Sequence, residues 1–193
     1  MDHADHVRLI QDGVTGAGPR WLELGAGEGA FTLALADVLG PGGRILVTDR
    51  DERALGAAAA AVRRSFPQVE IETRAFDYTD AIPDGRFDGV LAANTLHFVA
   101  DRHPTLLAIG ASIATGGRLV IVEYDTDRGN RWVPRPFSFE SWRTEAVRAG
   151  FAEPRLTGRV PSRFLGAIYA AVAEVDHGPS VRPGPTASRP DEP

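Results

Sequence analysis

The chain contains neither lysine nor cysteine. Without lysine there is no amine for a Schiff base and no Walker phosphate loop. Without cysteine there are no disulfides, no thiolate metal ligands and no thiol nucleophile, and no metal centre is expected. Long apolar runs are missing too. None approaches the length of a membrane span, and the first residues lack the basic-then-apolar order of a signal peptide. Positive charge is in deficit: 21 basic residues, all arginine, stand against 26 acidic ones, for a net charge of −5. Binding a phosphate backbone needs a basic face, so nucleic acid is not an expected partner. The expectation is a cytoplasmic protein with no membrane contact.

What remains is an ordinary globular composition, 43% apolar and 24% charged over 193 residues, enough for one well-buried domain. Residues 1–20 read as an N-terminal helix and linker, 21–175 as the domain, and 176–193 as a Pro-rich, disordered tail. Strands are expected at Trp21–Leu24, Arg44–Asp49, Val69–Ala75, Phe87–Ala93 and Arg118–Tyr124, with strand-like runs at Arg155–Val160 and Phe164–Glu174. Helices are expected at Ala30–Leu39, Asp51–Arg64, Asp101–Ala114 (closed by Gly116-Gly117) and from an N-cap at Ser138 through Ala149, with Gly150 ending it. The alternation predicts an α/β fold: a doubly wound, mostly parallel sheet with helices on both faces and right-handed crossovers. Ligands in such sheets sit outside the carboxyl ends of the strands.

Gly25-Ala26-Gly27-Glu28-Gly29 lies between the first strand and the first domain helix. Glycine there allows both the sharp turn and a close approach of backbone to ligand. Asp49 ends the next strand, where a carboxylate can accept both hydroxyls of a ribose. Residues 21–49 therefore read as a site for an adenosine-containing cofactor. The glycines alone also satisfy a dinucleotide pattern, so NAD is an alternative. Glu23 argues against it: a carboxylate inside an apolar strand is costly without a partner, and a pyrophosphate would repel it. A cofactor carrying an ammonium group would suit it.

Six segments, in order, carry a resemblance: LELGAGEGAFT (22–32), VTDRD (47–51), FDYTD (76–80), FDGVLAANTLHFV (87–99), GGRLVIVEY (116–124) and AGF (149–151). Together they resemble the motifs of class I S-adenosylmethionine-dependent methyltransferases, over about Trp21 to Glu174. The resemblance implies a seven-stranded Rossmann-like sheet whose last strand is antiparallel. It implies S-adenosyl-L-methionine as cofactor and S-adenosyl-L-homocysteine as product. Glu23 would organise the loop near the methionine end, where Gly25, Ala26 and Gly27 admit the cofactor. Asp49 would hold the ribose, Arg50 flank the adenine, Asp77 accept from its amino group and Tyr78 pack nearby. Asn94 would meet the aminocarboxylate.

Methyl transfer from a sulfonium is an in-line displacement, and positioning supplies much of the rate. A general base is needed only where the acceptor must lose a proton. His97 and Tyr124 are the candidate catalytic residues, with Glu123 and Asp125 nearby; Glu123 could equally be an interior acid paired with an arginine. The loop Asp125 to Phe139 overlies the expected acceptor mouth and offers Arg128 and Trp132 as substrate contacts, unless Trp132 merely covers the core. Cytosine C5 and arsenical methylation need cysteine and are excluded, and Asn94-Thr95-Leu96-His97 is not the Asn/Asp-Pro-Pro-aromatic of the amino-methylating nucleic-acid enzymes. The expected acceptor is a small organic molecule, in a pocket either shallow or completed by a second copy in a homodimer. A nicotinamide-dependent oxidoreductase and a non-catalytic cofactor-binding module are the alternatives.

Overall fold

A computed structural model describes residues 1–175. The tail expected to be disordered lies outside the described residues. Helix α1 (His3–Val14) is opened by a reciprocal cap: Asp2 accepts from the Asp5 amide while Asp5 accepts from the Asp2 amide. Strand β1 (Arg20–Leu24), helix α2 (Ala30–Leu39), strand β2 (Arg44–Asp49), helix α3 (Glu52–Ser65) and strand β3 (Glu70–Ala75) follow. Strand β4 (Phe87–Ala93), a single 3-10 turn (Leu96–Phe98), helix α4 (Arg102–Ser112) and strand β5 (Ile113–Tyr124) come next. Helix α5 (Phe139–Arg148) begins at Ser138, whose hydroxyl accepts from the Ser141 amide, and Gly150 beyond it takes φ +86°. Strands β6 (Arg155–Ser162) and β7 (Gly166–Glu174) close the fold.

The seven strands lie in the order β3-β2-β1-β4-β5-β7-β6. The strands from β3 to β5 are parallel, and β7 is antiparallel to both β5 and β6, so the terminal hairpin expected over 155–174 is present. Chain order reverses between β1 and β4, which is the switch point where α/β sheets hold ligands. One sheet face packs Trp21, Val47, Leu91 and Val120 against α1, α2 and α3. The other packs Leu22, Leu24, Leu119 and Ile121 against α4 and α5. Adjacent strand residues alternate between these two cores, as buried parallel strands require.

Two expectations are corrected. Helix α4 stops at Ser112 rather than Ala114, and β5 begins at Ile113, which is buried and pairs with Phe87. The glycine pair therefore lies inside a strand, at a register shift between Phe87 and Gly89, where a Cβ on Gly117 would meet the Asp88 carbonyl at 2.7 Å. Strand β3 does not show the half-buried alternation its sequence suggested. It is an edge strand, exposed along most of its length, because a loop without a helix joins it to β4.

Trp21 shows why β4 carries a glycine. Its indole is fully buried, donates to the Gly18 carbonyl at 3.0 Å and lies directly over Gly89. A Cβ on Gly89 would meet three indole carbons at 2.4–2.6 Å. The substitution Gly89→Ala should destabilise the protein by roughly 1–3 kcal/mol through overpacking and lower its melting temperature by several degrees in a thermal unfolding scan.

Candidate functional site

A cavity of about 510 Å³ opens at the switch point, lined by Gly25, Gly27, Asp49, Arg50, Asp77, Tyr78 and Asn94 among the expected residues, with Thr79, Thr95 and Phe98 besides. Local structure explains each placement. The Gly25 and Ala26 amides both donate to the Thr48 carbonyl, at 2.8 and 3.1 Å, tying the glycine loop to β2. Gly25 (φ +67°) has no room for a side chain, because a Cβ would stand 2.8 Å from Thr95 Oγ1. Gly27 (φ +51°) is different: a Cβ there would meet nothing, so its backbone faces open space.

Asp49 is already engaged within the loop. One oxygen accepts from the Gly27 amide at 2.8 Å and the other from the Asp51 amide at 2.9 Å, so the carboxylate braces the loop while each oxygen keeps further lone pairs. Asp77 accepts from the Thr79 amide and hydroxyl at 2.9 and 2.6 Å and faces Arg50 at 3.5 Å. The Thr79 hydrogen bonds, with the Arg50 charge, hold its carboxyl below the usual range. Tyr78 donates to the Thr95 carbonyl at 2.9 Å, and burial, with the charges of Asp77 and Glu123, pushes its phenol up to about 12. It is thus a neutral donor at any working pH.

Asn94 is the only non-glycine residue with positive φ (+51°) among those described. Asparagine tolerates that region better than most residues, and such conformations gather at functional sites. Its amide is fixed by the Val122 carbonyl at 2.7 Å, whereas its buried Oδ1 has no partner. Glu23 and Ala26 do not line the cavity. Glu23 lies behind the glycine loop, fully buried, with Oε2 unpartnered. Burial raises its pKa to about 7; the nearby Thr32 hydroxyl opposes the rise and Asp49 adds to it.

Glu123 is not paired with an arginine. Fully buried at the end of β5, it accepts from the backbone amides of Thr95, Leu96 and His97 at 3.0, 2.9 and 3.3 Å and from His97 Nδ1 at 2.8 Å. One side chain thereby holds the chain leaving β4 and fixes the His97 ring. His97 lines neither this cavity nor a neighbouring one. Its ring centroid lies 4.2 Å from that of Phe98 and 6.4 Å from that of Tyr124. Tyr124 continues to Phe164 at 5.9 Å, and Phe164 to Trp132 at 6.1 Å.

Trp132 does not cover the core. It is 66% exposed, and the loop Asp125–Phe139 is anchored instead by buried Val133 and Phe137. The loop is braced by Asn130, which accepts from the amides of Trp132 and Val133 at 2.9 Å, and by Asp127 and Asp125, which accept from Ser138 and Phe139. Arg128 is exposed and lines no cavity described here. Thr95 and Phe98 went unnoticed in sequence. Thr95 could have been suspected as a small polar residue at a strand exit; nothing in sequence distinguishes Phe98 from a core residue.

These groups fit an adenosine cofactor with an ammonium group: an unpartnered buried carboxylate oxygen, an unpartnered amide oxygen, and glycine backbone open to the cavity. Residues 22–119 match the family described as "Methyltransferase domain". The ubiquinone/menaquinone biosynthesis C-methyltransferase of Pasteurella multocida is 26% identical over 114 residues, which is 55% of this chain and 40% of that protein. The chain thus spans less than half of that curated relative. Among solved structures, the N-terminal domain of EvdMO1, crystallised with S-adenosylhomocysteine and D-fucose, is 25% identical with a TM-score of 0.64, covering 91% of this chain and 83% of that one. The N-methyltransferase NodS of Bradyrhizobium japonicum, 24% identical with a TM-score of 0.67 over 89% of this chain and 92% of its own, shares the fold.

Glu23 sets a pH dependence of stability. The folded carboxyl titrates near 7 against an ordinary 4.5, so between those values the folded protein keeps a proton that the unfolded chain has lost. Stability contributed by this group is whole below the lower value and is lost as pH rises through the upper one. Denaturant unfolding should show the wild type losing about 3 kcal/mol relative to Glu23→Gln between pH 4.5 and 8. Parallel stability curves would remove burial as the cause.

Proposed function

As the chain belongs to the methyltransferase domain family, of the class I S-adenosylmethionine-dependent kind, we propose that it transfers a methyl group to a small organic acceptor that gives up a proton in the reaction. S-adenosylhomocysteine is the second product. The observation that carries this reading is the His97–Glu123 pair, buried beside the cofactor cavity with its geometry fixed from β5. Family membership removes the nicotinamide-dependent alternative.

The residues divide the work by their chemistry. Gly25, Ala26 and Gly27 would admit the cofactor to the loop, and Glu23, buried behind it, would favour a cationic group on the cavity side. Asp49 takes the ribose hydroxyls on its free lone pairs, Asn94 Oδ1 meets the aminocarboxylate, and Arg50, Asp77 and Tyr78 bound the adenine. When bound, the cofactor would supply an activated methyl group, its sulfur keeping the electron pair of the broken bond as the acceptor atom forms the new one. With Nδ1 held by Glu123, the His97 ring leaves Nε2 as the atom to receive the acceptor's proton. Tyr124 and Trp132 form the apolar wall that orients the acceptor, with Arg128 at the outer rim of the loop. A hydroxyl or an acidic C–H meets these demands. The relatives span carbon and nitrogen methylation by name and do not choose between them.

Calorimetric titration should show S-adenosylhomocysteine binding, weakened at least tenfold by Asp49→Ala. Absence of binding to the wild type would end the reading. In a labelled-donor assay across hydroxyl, amine and carbon-acid acceptors, His97→Asn should lower kcat about 100-fold, within the usual range for a lost general base, while leaving homocysteine-product affinity within threefold. A cofactor-binding module without catalysis would instead bind the product and turn over no acceptor. Trp132→Ala should raise the acceptor KM with kcat little changed.

A further inference from the structure

Beyond Tyr124 lies a second cavity, of about 830 Å³, between the start of α1, the end of β5 and the β6–β7 turn. Its volume falls in the range of small-molecule sites. Three arginines line it, Arg8, Arg159 and Arg163. Two are already engaged: Arg8 with Asp5 on α1 and Arg159 with Asp125 at the end of β5. Arg163 has no carboxylate partner among the described residues.

Arg163 stands on a braced turn. The Phe164 amide donates to Ser162 Oγ at 3.2 Å, the Ala167 amide to the Leu165 carbonyl at 3.0 Å, and Gly166 takes φ +79°. Arg163 and Phe164 both line the cavity from this turn, and the Phe164 ring is half exposed and lies between Tyr124 and Trp132. Phe164 joins Tyr124 on one side and Trp132 on the other, and the exposed apolar surface of Phe164 and Trp132 is costly to present without a ligand to cover it. A guanidinium is a planar fork that matches carboxylate or phosphate oxygens in pairs. The rings and the fork together describe one kind of molecule.

We propose that this cavity is the acceptor subsite and that it takes a planar, ring-bearing acid, its ring against Tyr124 and Phe164, with Trp132 backing Phe164, and its carboxylate or phosphate on Arg163. The assignment rests on the methyl-transfer reading of the neighbouring site. It deepens that reading by giving the acceptor two ends. The anionic end is held at the hairpin, while the reacting atom lies on the His97 side of Tyr124. Asp5 and Asp125 stay with their own arginines, so an incoming anion displaces no existing pair.

The test uses the full chain saturated with S-adenosylhomocysteine and three probes: 2-naphthoate, 2-naphthyl phosphate and 2-naphthamide. Binding followed by calorimetry should favour at least one anion over the amide by tenfold or more, and the stronger of the two anions names the acid carried. Arg163→Gln should abolish that preference and leave the amide unchanged, whereas Phe164→Leu should weaken acid and amide alike. Both side chains are exposed, so neither variant threatens the fold. Equal binding of acids and amide by the wild type, or a preference that survives Arg163→Gln, overturns the assignment. If the homocysteine product does not bind, the methyl-transfer reading itself falls; if it binds without acid preference, only the subsite falls.

Discussion

The Glu123 carboxylate is the point on which the site depends. Burying a carboxylate costs least when donors fill its lone pairs, and four do so here: three successive amides of the chain leaving β4 and one ring nitrogen of His97. Thr95, held this way, directs its hydroxyl at the carbonyls of Leu24 and Ala93, at 3.1 and 2.9 Å, and crowds Gly25. Its own carbonyl receives the Tyr78 hydroxyl from the segment after β3. The ends of β1, β3, β4 and β5 are thus joined through one buried acid. Its loss would loosen the cavity on three sides, apart from anything it does to the imidazole.

Much of the fold was legible because its signals are local. Ala30–Leu39, Arg44–Asp49 and Phe87–Ala93 were bounded to the residue by glycine punctuation and continuous apolar runs, and the observed elements coincide. Where the expectation failed, a distant partner decided. Ile113 reads as the end of a helix in its own window, yet it pairs with Phe87, far away in sequence. The exposure of β3 depends on a crossover that carries no helix, and no pattern within Glu70–Ala75 reports that.

The site divides similarly. Gly25, Gly27 and Asp49 stood out because their chemistry is tied to fixed positions around one turn. Glu23 stood out as a charge in an apolar strand; it is buried behind the loop with an oxygen unpartnered and lines no cavity. What sequence could not supply was the pairing of Glu123 with His97 across 26 residues, or the row of rings from Phe98 to Trp132. Those depend on which strand ends meet, and any of the residues involved is equally at home in a core or on a surface.

The two sheet edges have a bearing on how copies of the chain can meet. Edge β3 leaves its outer ladder of amides and carbonyls open, but its side chains read Glu70, Glu72 and Arg74, with Glu70 and Glu72 ion-paired to Arg44 and Arg74 at 3.2 and 3.3 Å. Edge β6 carries Pro161 and a register break at Leu156 and Gly158. Charges, proline and bulges are the features that discourage one sheet from adding to another. Continuous strand pairing between molecules, the first step toward fibrous aggregation, is disfavoured at both ends, and any self-association is steered onto helix or loop surfaces.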